Sequence, residues 1–169
     1  IDPYKVVAIG AAIQGHLLAG GRRDFLLLDV VPLALGIETL GGTFSKVITA
    51  NTSLPAEESE VFTTHVDQQT SIEINIYQGE RELVQDCRSL GQFKLRGIPP
   101  MKAGFPLVEV SFKVDSNGLL RVSAFEKRSG TEAQIEVIPS HGLTQIEIDA
   151  IMEASFEHAV DDFNRRQLI

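Results

Sequence analysis

The side chains of this chain that could do chemistry begin with His16, His65, His141, His158 and Cys87. Imidazole and thiolate are the usual zinc ligands, and structural zinc sites place them in close pairs. These four histidines have no such spacing and the one cysteine stands apart, so no metal set is predicted. A catalytic thiol needs a positioned base. Cys87, between Asp86 and Arg88, has none that the sequence names, and it reads as structural. Ser71 and Ser89 lack the surroundings of an activated hydroxyl. Glu57, Glu58 and Glu60 read as a solvated strand edge, not as an acid–base pair. Asp115-Ser-Asn-Gly118 looks like the start of a calcium loop, but the distal acidic ligands are missing. Gly41-Gly42 falls between two strands, with no following helix to present its N-terminus to a phosphate. The residues themselves therefore argue against an enzyme, such as a sandwich hydrolase, and leave a binding module.

The elements that would carry such a module can be read from composition and period. At 169 residues the chain suits one domain with a sizeable core. Its net charge of −8 argues against nucleic acid or an anionic membrane as partner. A single cysteine excludes an internal disulfide and fits a reducing, cytoplasmic compartment. No apolar run approaches the length of a membrane span. Ile1 in place of Met, with no secretory pattern after it, suggests a piece of a longer chain.

Residues 4–18 read as a helix with a small, close-packing face of Val7, Ala8, Ala11, Ala12 and Gly15. So apolar a helix needs a cover, and it is expected to be disordered or packed on a neighbouring molecule. Phe25–Leu28 reads as an apolar linker. Leu33, Leu35 and Ile37 then alternate as a strand, after a bend at Pro32 and before a turn at Gly41-Gly42. Further strands are expected at 44–48, 61–66, 72–77, 108–114, 119–125 and 133–138. Asn117-Gly118 suits a type I′ hairpin turn between two of them. The stretch from Arg81 to Arg96 gives no clear period, although Leu90, Phe93 and Leu95 look like core. Thr144-Gln-Ile-Glu147 is a capping box that opens a long amphipathic helix, bent or broken near Ser155 to His158. Its stripe is Ile148, Met152, Ser155, Ala159 and Phe163, with acidic residues including Asp162 on the remaining surface. The predicted class is mainly β: a two-layer antiparallel β-sandwich followed by a C-terminal helical segment.

On such a frame an extended peptide could lie against Ile37–Leu40, Phe62–His65 and Ile72–Ile74. Backbone hydrogen bonds would give affinity and one apolar pocket would select a side chain. The linker and first strand, Leu26-Leu-Leu-Asp-Val-Val-Pro-Leu-Ala-Leu-Gly-Ile-Glu-Thr-Leu-Gly-Gly42, resemble those of the seventy-kilodalton heat-shock chaperones, the DnaK type. Asn51–Pro55, Val61–Thr64, Gln78–Arg81, Ser89–Phe93, Leu119–Ala124 and Ser140–Leu143 follow in that family's order. The resemblance implies a peptide-binding sandwich under a helical lid. It divides the chain into a remnant of the last ATPase-domain helix (1–22), an interdomain linker with Leu26, Leu27, Leu28 and Asp29 (23–29), the sandwich (30–140) and a truncated lid (141–169). It also implies a groove lined by Ile37, Thr39, Phe62, Thr63, Gln69, Ile72, Ile74 and Val108. Ile72 would sit at the central pocket, with Leu40 and His65 arching over the peptide. His65 departs from the small or apolar residue the family pattern has there.

Gln78–Leu90 and Leu95–Pro99 resemble one branch of the family, the iron–sulphur-cluster assembly chaperones. That likeness implies a cluster scaffold protein as client, bound through a Leu-Pro-Pro-Val-Lys kind of motif, and a J-type co-chaperone acting through an ATPase domain. A general DnaK-type chaperone is the alternative. ATP and magnesium would belong to the full-length parent, with no cofactor in this stretch. The uncovered apolar helices are expected to self-associate.

Overall fold

The computed structural model describes residues 3–18, 29–138 and 144–167. Helix α1 (Pro3–Leu18) comes first. Eight strands follow: β1 (Leu35–Thr39), β2 (Thr43–Ile48), β3 (Ala56–Phe62), β4 (Ser71–Gln78), β5 (Arg88–Arg96), β6 (Val108–Val114), β7 (Leu120–Glu126) and β8 (Glu132–Val137). Helices α2 (Gln145–Glu157) and α3 (Ala159–Arg166) close the chain. The strands make two four-stranded sheets, ordered β2-β1-β4-β5 and β3-β6-β7-β8, and every strand pair is antiparallel. The expected β-sandwich with trailing helices is the fold observed.

Alternation builds the core. Val108, Val110, Phe112 and Val114 on β6, with Leu120, Val122 and Ala124 on β7, turn inward. They meet Ile74 and Ile76 from β4, Leu35 and Ile37 from β1 and Leu95 from β5 in one apolar cluster. Pro32 lies in a bend just before β1, so the missing N–H falls outside the ladder of a central strand. On that strand Gly36 is required by contact, because a Cβ there would overlap the Ser45 carbonyl of β2.

Three expectations are corrected. The strand placed at 61–66 is Ala56–Phe62, an edge strand whose Glu57, Glu58 and Glu60 are exposed. Its charged face hid its period. The unclear stretch contains β5, which pairs with β4 from Ser71↔Arg96 to Gln78↔Arg88. The β6–β7 turn is not type I′, because only Gly118 (φ 79°) has the positive φ that both central residues would need. There the Asp115 carboxylate accepts from the amides of Leu119 (2.9 Å) and Asn117 (2.8 Å). The Leu119 amide first, then that of Asn117, holds this carboxyl below the usual carboxylate range. Helix α1 is formed and bears exposed Val7 and Ile9. Among the described residues no helix is long and apolar enough to cross a membrane.

The capping box is present: Thr144 Oγ1 accepts from the Glu147 amide, and Glu147 Oε2 accepts from the Thr144 amide at 2.7 Å. The helix breaks at His158, inside the expected interval.

Candidate functional site

At one end of the sandwich, β1 and β4 of one sheet approach β3 and β6 of the other. The chain leaves an open groove there of about 740 Å3. Its floor is apolar and continuous with the core. Ile37, Ile74 and Val108 are buried, while Ile72 and Phe62 are half-buried. Its rims are the turn after β1 and the segment after β3. Leu40, 69% exposed, stands on the first rim, and Thr63 and His65 are exposed on the second. All ten residues that the family resemblance assigned to a peptide groove line this one space: Ile37, Thr39, Leu40, Phe62, Thr63, His65, Gln69, Ile72, Ile74 and Val108. Of the linker residues, Leu26, Leu27 and Leu28 lie outside the described residues, and the Asp29 carbonyl accepts from the Leu54 amide at 2.8 Å.

Hydrogen bonds brace the second rim from behind. Gly104 N donates to the Thr64 carbonyl at 2.9 Å, Gln68 N to the Met101 carbonyl at 2.6 Å, and Ala103 N to Asp67 Oδ1 at 2.8 Å. Gln69 Nε2 donates to the Ser71 carbonyl at 2.8 Å, which leaves its buried Oε1 without a partner.

Sequence reasoning missed the polar lining. Glu38, Glu73, Asn75 and Lys94 also face the space. Asn75 Nδ2 donates to Glu38 Oε2 at 2.9 Å. Alternation assigns these residues to solvent, and only the three-dimensional course of β1, β4 and β5 brings them to the groove. Reasoning from sequence also misplaced Asp162, put among the solvated acids. It is 2% exposed, and Arg81 donates to it through Nε at 2.5 Å and Nη2 at 2.9 Å. This bond from Arg81 holds the Asp162 carboxyl below the usual carboxylate range. Arg166 Nη1 donates to Glu82 Oε2 at 2.5 Å beside it. Helix α3 is thus fastened to the segment between β4 and β5. No signal in the local sequence could have paired Arg81 with a residue 81 positions away.

Cys87 lies under that same segment, its Sγ donating to the Arg81 carbonyl at 3.7 Å. Burial above all pushes its thiol up to about 11. At pH 8 only about 0.1% of such a thiol is thiolate, against about 24% for an unperturbed one near 8.5. Labelling by an aromatic disulfide reagent at pH 8 is therefore expected to run about two hundredfold slower in native protein than in denaturant. Equal rates would mean an open, reactive thiol. Among the described residues no group of three or more His, Cys, Asp or Glu side chains is placed to hold a metal.

The Hsp70 protein family model matches residues 1–169, and the chain belongs to the Hsp70 family. Among curated relatives it is similar to the chaperone protein HscA homologs of Pseudomonas aeruginosa (56% identical), Methylococcus capsulatus (54%) and Haemophilus influenzae (52%). Each likeness covers 99% of this chain and 28% of the relative, so the chain spans little more than a quarter of their length.

Proposed function

We propose that the groove binds an extended, apolar, proline-containing segment of a client polypeptide. What supports this reading is that the ten positions carried over from the family resemblance line one space with an apolar floor and a polar rim. A floor of Ile37, Ile72, Ile74, Phe62 and Val108 takes a Leu or Pro side chain. Backbone groups along the groove rims would pair with the client backbone, whatever side chains the client carries. The likeness of Gln78–Leu90 and Leu95–Pro99 to the iron–sulphur branch, and the HscA relatives, support a cluster scaffold protein as client. In that reading the longer parent hydrolyses ATP in a separate domain, receives a J-type co-chaperone there, and works in the cytoplasm. Residues 23–29 serve as the link and 141–169 as part of a lid.

The test is a fluorescence-anisotropy titration with a labelled peptide containing Leu-Pro-Pro-Val-Lys. Saturable binding near micromolar, about −8 kcal/mol, is expected. A peptide with Asp in place of the Leu should bind far more weakly. Equal affinity for the two would remove the apolar pocket from the account. Strong binding spread evenly over an array of unrelated apolar peptides would favour the general chaperone reading.

A further inference from the structure

The first rim of the groove is closed by two threonines, of which one faces the groove. Thr39 ends β1 and lines the space; Thr43 opens β2 and does not. Leu40–Gly42 between them form a kinked turn, with Gly41 and Gly42 at φ 78° and 75°. Two successive glycines give this turn little stiffness of its own, and Leu40 has 69% of its surface exposed. A chain of hydroxyls ties it together. Thr43 Oγ1 is placed to donate to the Leu40 carbonyl at 3.1 Å. Thr39 Oγ1 lies 2.6 Å from Thr43 Oγ1, a pair in which either hydroxyl can be the donor. Thr39 also reaches the Thr43 carbonyl, at 3.2 Å.

We propose that Thr43 is the positioning residue of the rim: through the Thr39–Thr43–Leu40 clasp it holds Leu40 over the groove and sets how long an occupant stays. This inference rests on the peptide-binding reading. The clasp stands on a firm base. Thr43 forms a bridge with Leu83, and Phe44 N donates to the Glu82 carbonyl at 2.8 Å. Those partners belong to the segment whose Arg81 and Glu82 hold α3.

Thr43→Val removes the hydroxyl and keeps the branched shape a strand accepts; Thr43→Ser keeps the hydroxyl. The three proteins are compared by stopped-flow release of the labelled Leu-Pro-Pro-Val-Lys peptide, by hydrogen exchange of amides 40–44 without peptide, and by melting. Thr43→Val is expected to release peptide about three- to tenfold faster, the scale of one or two lost hydrogen bonds. Its rim amides should exchange correspondingly faster. Thr43→Ser should match the parent in both, and all three should melt alike. Unchanged release and exchange in Thr43→Val, or equal changes in Thr43→Ser, would overturn the clasp. Should no form hold peptide while rim exchange rises in Thr43→Val alone, the clasp stands and the peptide reading falls.

Discussion

Arg81→Ala is expected to undock α3 while leaving the sandwich folded. Asp162 is 2% exposed and receives two hydrogen bonds from the Arg81 guanidinium. Removing one partner of a buried pair costs about 3–5 kcal/mol if the other stays in place. An eight-residue helix has little stability of its own in water. The neighbouring Arg166–Glu82 pair has side chains 56% and 30% exposed, and such a pair contributes about 0–1 kcal/mol. The cheaper response is for α3 to leave and let Asp162 rehydrate. Hydrogen-exchange protection over 159–166 should be lost and trypsin should cut after Arg165 or Arg166, with the melting of the β-sheets nearly unchanged. Arg81→Lys should give an intermediate result, since it keeps the charge but not the forked geometry. The pH dependence follows from the lowered carboxyl of Asp162. Its contribution is present above the unfolded value, about 3.9, and is lost as pH falls through the lower folded value. Protection of α3 should therefore persist from neutral pH to about pH 4 and fade below it. In Arg81→Ala it should be absent throughout. Intact protection in that variant would place α3 under other contacts.

Ile72→Phe is expected to cost about ten- to a hundredfold in peptide affinity. Ile72 pairs with Leu95 across β4 and β5, is half-buried, and lines the groove. The larger ring has open space on the groove side and therefore need not strain the core. It would fill the room a client Leu or Pro enters, whose burial contributes roughly 1.5–3 kcal/mol. Each 1.4 kcal/mol lost is about a factor of ten in binding. Glu136→Gln is the control. Glu136 lies on β8 and pairs with Arg121 at 2.5 Å, but both side chains are about half exposed, so the loss costs little. Normal affinity in a folded Ile72→Phe protein would make Ile72 ordinary core.

The sandwich was legible where side chains alternate without interruption. Val108–Val114 carries its period openly, and the observed strand has those bounds. The capping box at Thr144 and Glu147 was legible because it is a local device, complete within four residues. β3 was misplaced because Glu57, Ser59 and Val61 face outward with Glu58 and Glu60 also exposed, leaving no apolar alternation. β5 was blurred by Gly91, which lies close to Ile135 and Val137 of β8 and so takes a position where an apolar side chain would otherwise mark the strand. The groove posed another difficulty. Ile37, Ile74 and Val108 serve as core and floor at once. Periodicity sees only the first role; the second came from likeness to a family. The Arg81–Asp162 pair needs the folded chain, because each residue alone looks like ordinary surface charge.

The central claim is that an extended peptide occupies this groove, and isoleucine-methyl NMR during titration with the Leu-Pro-Pro-Val-Lys peptide tests it most directly. Ile37, Ile72 and Ile74 line the groove, whereas Ile48 lies in the core and Ile135 on β8, and neither of these lines it. Saturable shifts of the first three methyls, with Ile48 and Ile135 nearly still, are the predicted result. Saturable binding that moves Ile135 and leaves Ile37, Ile72 and Ile74 unmoved would contradict the account.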